Sequence, residues 1–164
     1  MHDAWDNFDV SDNQTWDVAG KIQFSPCIES RILSELLPAL LGESFELLSL
    51  KGRSPKPGYG LQGLHVDAVG PVKPNEQQIA NAFWILDEMS RDNGSTRIVP
   101  GSHKSYSIPK GNYAQPNCTH PDEIYISAKP GDLLLFSAHL WHSGSRNVNG
   151  DRRRVVIAQF KRTG

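Results

Sequence analysis

The chain has 164 residues, 38% of them hydrophobic and 21% charged, with a formal net charge of −1. That length suits one domain with a substantial core, and the near-neutral balance excludes the broad basic surface that nucleic acid or an anionic membrane requires. Its two cysteines, Cys27 and Cys118, are far apart and in no paired spacing, which excludes a disulfide framework and a thiolate metal site and fits a cytoplasmic setting.

The opening residues carry neither a basic stretch nor an apolar one, so no secretory leader is expected, and no apolar run reaches the ~18 residues of a membrane span. Residues 1–25 read as a polar arm that docks through Trp5, Phe8, Trp16 and Phe24. Residues 27–42 place apolar side chains at 32, 33, 36, 37, 40 and 41, the spacing of a helix, with Pro38 expected to end or kink it and Gly42 to stop it.

Beyond Gly42 the pattern becomes that of strands, predicted over 44–52, 63–69, 79–88, 96–100, 123–129, 132–138, 141–146 and 153–161. Turn signals such as "SPKPGYG", "RDNGS", "KPGD" and "NVNGD" separate them. Short strands punctuated in this way predict a mainly β chain, an antiparallel sandwich, barrel or jelly roll, behind a single short N-terminal helix. We expect one domain over 1–164, with 1–42 as arm and helix and 43–164 as the β core. The polar stretch 101–122 is a long loop, of the kind that often carries function.

The chemistry is concentrated in "GLHVDAVGP", residues 63–71. On a strand, His65 and Asp67 share a face while Val66 takes the other. One imidazole nitrogen and one carboxylate oxygen can then reach a common point, though a surface or salt-bridged pair has the same spacing. A third ligand must come from a distant strand, and His142 in "AHLWHSGS" is the best candidate. His139 competes with it, and on a regular strand the two point to opposite faces. Two His and one carboxylate on one face of an octahedron are the donor set of non-haem Fe(II) oxygenases. A 2-oxo acid chelating such a metal needs a cation for its far carboxylate, and Arg matches a carboxylate with two parallel hydrogen bonds. Arg153 shares a strand face with Val155, Ile157 and Gln159, where an arginine is costly unless paired. Arg152 and Arg154 are expected to be a solvated basic turn or a phosphate-binding patch.

Three blocks, "QGLHVDAVGP", "FWILDEMSRDNGSTRIVPGSHK" and "KPGDLLLFSAHLWHSGSRNVNGDRRRVVIAQF", together resemble the phytanoyl-CoA dioxygenase family over residues 45–162. The resemblance implies a double-stranded β-helix (jelly-roll, cupin-like) core. It implies a dioxygenase that uses Fe(II), 2-oxoglutarate and O2, hydroxylates a C–H bond of a small-molecule substrate and releases succinate and CO2. It puts the metal ligands on His65, Asp67 and His142, and the 2-oxoglutarate anchor on Arg153. Trp84 falls beside the co-substrate, Thr96 and His103 line the site, and Gln62 faces the pocket. Asn147 is implied in turn structure. Arg146 departs from the small or neutral residue usual at its place. The stretch ahead of His65 is shorter than in most members, which leaves either a more open pocket or one completed by another chain, as in a homo-oligomer. A cupin-like metal-dependent isomerase, or a non-catalytic jelly roll that binds a small molecule, shares the barrel but does not need Arg153.

Overall fold

Two antiparallel sheets form where β-branched, aromatic and alternating residues recur in the sequence. They appear in a computed structural model that describes residues 15–68, 78–105 and 107–164. The strands are β1 (Thr15–Asp17), β2 (Phe45–Arg53), β3 (Ile79–Ile85), β4 (Thr96–Ile98), β5 (Ile124–Tyr125), β6 (Leu133–Ser137), β7 (His142–Gly144) and β8 (Val155–Arg162). The larger sheet runs β1-β2-β8-β3-β6 and the smaller β5-β4-β7, every pairing being antiparallel. No helix among the described residues is long and apolar enough to cross a membrane.

The larger sheet is buried on both faces, and the alternation of its side chains sorts them into two apolar layers. Ala80, Ala82, Val156, Ala158, Phe160 and Leu50 pack on one side with Leu33, Leu37 and Leu41 of helix α1 (Arg31–Leu41). Phe83, Ile85, Val155, Phe136, Met89 and Leu140 form the other layer, with Ile98 of β4 packed against it. Burying each of these large aliphatic or aromatic side chains stabilises the fold by about 1.5–3 kcal/mol. At its far end, between the two sheets, the second layer gives way to polar residues, and the cavity described below opens there.

The helix is shorter than the sequence predicts at its N-terminal end, because Ile22–Cys27 forms a separate 3-10 helix containing Pro26. At the other end Pro38 does not break it. Pro38 lacks the N–H that would bond back one turn, but Leu33, Leu37 and Leu41 are each about 1% exposed, and that burial outweighs the lost hydrogen bond. Gly42 ends the helix at φ +82°, with its N–H on Pro38 O at 2.9 Å.

Three further differences have local causes. Part of the arm is a strand: β1 pairs with β2 in register Thr15–Arg53, and Val18 and Phe24 are fully buried, while residues 1–14, with Trp5 and Phe8, lie outside the described residues. Residues 63–68 are not a regular strand: one isolated bridge pairs His65 with His142, and the Leu64 and Asp67 N–H groups donate to Tyr113 O and Ala138 O; residue 69 of the predicted 63–69 strand lies outside the described residues. Arg154 is not part of a solvated turn. It is about 4% exposed, and its Nε and Nη2 donate to Asp87 Oδ2 and Oδ1, each at 2.8 Å. Arg152 is exposed, as expected.

Cys27 and Cys118 are both free. Burial pushes the Cys27 thiol up to about 11.

The Arg154–Asp87 pair clamps the entry to β8 onto the end of β3. Burial by itself raises the Asp87 carboxyl, and the side-chain and backbone hydrogen bonds from Arg154 bring it below its ordinary value. Asp87→Asn is expected to lower unfolding free energy by about 3 kcal/mol in neutral urea titrations. The advantage of the wild type should be complete above the ordinary carboxylate range and vanish as pH falls through the lowered value.

Candidate metal and co-substrate site

Reciprocal backbone hydrogen bonds between His65 and His142, N to O at 3.0 Å in each direction, hold the two histidines side by side. Their ring centroids are 4.5 Å apart. Each Nδ1 lies 2.9 Å from the carbonyl two residues earlier, Gly63 O for His65 and Leu140 O for His142. Those acceptors fix a proton on Nδ1 and leave each Nε2 as the atom available to a metal. Both Nε2 atoms turn toward Asp67, with His142 Nε2 at 3.3 Å from Oδ2 and His65 Nε2 at 3.8 Å from Oδ1. One donor atom from each residue lies within 4.8 Å of the others, so the three form a cluster able to hold a metal ion.

A polar relay behind Asp67 fixes its carboxylate. Asn81 Nδ2 donates to Oδ2 at 2.7 Å and Gln159 Nε2 to the same oxygen at 3.3 Å. Gln159 Nε2 also reaches Asn81 Oδ1 at 3.1 Å, and Ser49 Oγ donates to Gln159 Oε1 at 2.8 Å. Burial acts to raise the Asp67 carboxyl, but the hydrogen bond and charge of His142, then Asn81 and His65, bring it down to about 2. It is an anion throughout the neutral range. Burial and the neighbouring His142 lower the His65 pKa, which keeps that imidazole neutral and able to ligate.

The cluster opens on a cavity of about 220 Å³. Arg153 lines it and is only 1% exposed. Its Nη2 donates to Gly94 O, and its Nε has no hydrogen-bond partner among the described residues. It forms no ion pair with any described residue. Burial, with Arg53 adding to the effect and Asp87 opposing it, pulls its pKa down to about 9. A guanidinium buried in this way is costly until an anion meets it.

Of the other residues singled out in the sequence, Thr96 and Gln62 line the cavity. Gln62 Oε1 accepts from Arg53 Nη1 at 2.7 Å and from Gly144 N at 3.2 Å. Trp84 does not line it. On β3, Asn81, Phe83 and Ile85 face the cavity side while Trp84 packs toward the helix layer, with its indole N–H on Cys27 O at 2.8 Å. Phe83 occupies the cavity wall instead, as strand alternation requires of the residue next to Trp84. His103 sits on the 3-10 helix Ser102–Ser105, away from the cavity lining. His139 is buried in the turn between β6 and β7, outside the donor cluster. Arg146 is exposed and donates to Gly58 O at 2.7 Å. Asn147 is a turn residue: its Nδ2 donates to Pro55 O and Asp151 O, and its Oδ1 accepts from Gly150 N.

Sequence reading missed Asn81 as the hydrogen-bond partner of Asp67, and it missed Arg53 and Arg97. A lone amide in the apolar strand "IANAFWI" is a readable signal, since a buried polar side chain needs a partner. Arg97 is 3% exposed and paired with Glu123 at 3.3 Å. It also donates to Ser143 Oγ at 2.5 Å, Gln62 O at 2.6 Å and Cys118 O at 3.1 Å. One side chain thus ties the loop 107–122, the segment carrying His65 and strand β7 together.

A model of the phytanoyl-CoA dioxygenase family matches residues 27–155, and the chain belongs to that family. It is similar to Dioxygenase cnsJ of Penicillium expansum, 34% identical over 115 residues, which covers 63% of this chain and 33% of that protein. It is also similar to Dioxygenase af480 of Aspergillus fumigatus, 28% identical over 128 residues, 77% of this chain and 40% of that protein. The chain therefore spans about a third of the length of the curated relatives it matches. Among solved structures, HygX from Streptomyces hygroscopicus with nickel and 2-oxoglutarate bound aligns over 99% of this chain and 74% of its own, with a TM-score of 0.74 and 16% identity. The epimerase SnoN in complex with Fe3+, alpha ketoglutarate and nogalamycin RO aligns over 90% of this chain and 62% of its own, with a TM-score of 0.71 and 19% identity. At those identities the likeness is one of fold.

Arg97→Met should leave Glu123 buried and unpaired and lower the melting temperature by about 10 °C, the equivalent of roughly 3 kcal/mol. Adding Glu123→Gln should recover part of the loss in a double-mutant cycle.

Proposed function

We propose that this chain is a non-haem Fe(II)- and 2-oxoglutarate-dependent dioxygenase that hydroxylates a C–H bond of a small molecule, with release of succinate and CO2. One observation carries the reading. A donor set of two imidazoles and one carboxylate shares a 220 Å³ cavity with a buried guanidinium that no described carboxylate neutralises. A metal held only by oxygen and nitrogen donors, and a dicarboxylate reaching from it to Arg153, fit those residues together. A cupin-like isomerase or a simple binding module leaves the charge on Arg153 unexplained. HygX and SnoN, whose structures carry a metal and 2-oxoglutarate in a similar fold, support the metal and 2-oxoglutarate part of that reading. Two facing antiparallel sheets around the cavity are in keeping with a double-stranded β-helix.

In this reading His65, Asp67 and His142 hold Fe(II), and the bound metal with its 2-oxo acid supplies the activation of O2. The chain's own residues supply position and polarity. The Gly63 and Leu140 carbonyls orient the two imidazoles, and Asn81 and Gln159 aim the Asp67 carboxylate. Arg153 pairs with the distal carboxylate of 2-oxoglutarate, with Thr96 and Gln62 on the adjoining wall. Phe83 and Ile157 exclude water from one side of the cavity.

Anaerobic wild-type protein given Fe(II) and 2-oxoglutarate is expected to develop a weak visible charge-transfer band. Asp67→Ala should lose most Fe(II) binding and all substrate-dependent succinate formation; succinate formed by that variant at the wild-type rate would refute the ligand set. In titrations of the band, Arg153→Leu should weaken 2-oxoglutarate binding about a hundredfold, or ~3 kcal/mol, with Fe(II) affinity largely intact.

A further inference from the structure

The cavity carries more positive charge than the proposed chemistry uses. A ferrous ion and Arg153 balance Asp67 and the two carboxylates of 2-oxoglutarate, leaving no net charge at the centre. Two cavity-lining cations, Lys51 and Arg53, remain. Both lie on β2, whose alternation turns Ser49, Lys51 and Arg53 to the cavity while Leu50 is buried on the helix side. Neither makes an ion pair with a described residue. Asp17 stands across from Lys51 in the β1–β2 register, but its Oδ1 accepts the Ala19 N–H at 2.8 Å. Thr15, across from Arg53, lines the same wall.

Arg53 is held in place. Its Nη1 donates to Gln62 Oε1 at 2.7 Å and its Nη2 to Gly60 O at 3.2 Å, while its buried Nε has no hydrogen-bond partner among the described residues. Gly144 makes room for it: a Cβ there would stand 3.0 Å from Arg53 Nη2 and 2.5 Å from Gly60 O. Burial lowers the Arg53 pKa and the charge of Asp67 opposes the effect. All its described hydrogen-bond acceptors are neutral.

We propose that Lys51 and Arg53, with the Thr15 hydroxyl, form a subsite for an anionic group on the substrate, so that the substrate is a carboxylate- or phosphate-bearing molecule. The inference rests on the 2-oxoglutarate reading for its charge balance. The guanidinium fork of Arg53 takes the anion deep in the cavity, and Lys51 meets it at the exposed rim. The overall charge of −1 conceals this local excess.

Calorimetry on the anaerobic protein loaded with Fe(II) and 2-oxoglutarate tests it, with inorganic phosphate and benzoate as probes and benzamide as the uncharged control. At least one anion should bind, less tightly as salt is added, and benzamide should not; the stronger anion tells phosphate from carboxylate. Lys51→Gln and Arg53→Gln should each weaken that anion about tenfold, or ~1.4 kcal/mol, and Arg53→Lys should recover part of the loss. Binding of neither anion, equal binding of benzamide, or variants that hold the anion as well as wild type would overturn the proposal. So would Arg53→Gln losing 2-oxoglutarate instead of the probe, which would assign Arg53 to the co-substrate. A wild type with no charge-transfer band, but with anion binding to the metal-free protein that depends on Lys51 and Arg53, would sink the dioxygenase reading and leave the subsite standing.

Discussion

Two backbone hydrogen bonds between His65 and His142 set the geometry of everything around them. They join segments 77 positions apart without a regular strand on one side. Because the pairing is made through the main chain, it fixes both Cα positions before any side chain is considered. The carbonyls of Gly63 and Leu140 then fix the rotation of each ring. Each histidine is therefore oriented by its own segment, and the two converge only because the bridge registers one segment against the other.

The rest of the site is braced by buried polar groups that serve one another. Asn81 and Gln159 come from neighbouring strands, β3 and β8, and are cross-strand partners in the β3–β8 register. Both reach Asp67, so the carboxylate is fixed to the larger sheet although it belongs to an irregular segment. Arg97 does the same for the smaller sheet, holding the chain beside Gln62 against β7 and the loop 107–122. Satisfied networks of this kind are rigid because losing one member strands the others. Gly63 shows how tightly the loop approaches: a Cβ added there would collide with the Ala114 carbonyl.

Much of this was legible in the sequence where a two-residue period carried it. Alternation in "RRVVIAQF" puts Arg153, Ile157 and Gln159 on one face, and all three line the cavity. Period alone could not tell which face of "IANAFWI" looks inward, because Ala, Phe and Trp suit either layer of a sheet buried on both sides; hence the exchange of Trp84 for Phe83. Arg154 reads as surface because its partner, Asp87, is 67 positions away. Arg53 was hidden by its neighbours, since "KGRSPKPG" has the composition of a turn. Pro38 was given too much weight because local propensity takes no account of the burial of Leu33, Leu37 and Leu41.

The turn of Trp84 away from the cavity has a consequence for durability. The described walls of the cavity include no Trp, Tyr, Met or Cys, the side chains that surrender electrons most readily. Met89, Trp84 and Cys27 all stand behind or beyond the wall, and the Cys27 thiol keeps its proton. If the chain is the oxygenase proposed above, a reactive oxidant released there in a failed turnover meets the two imidazoles, amides, hydroxyls, charged side chains, an isoleucine and a phenylalanine before it meets a described Trp, Tyr, Met or Cys. On that reading these sulfur and indole side chains stand outside the oxidant's first reach.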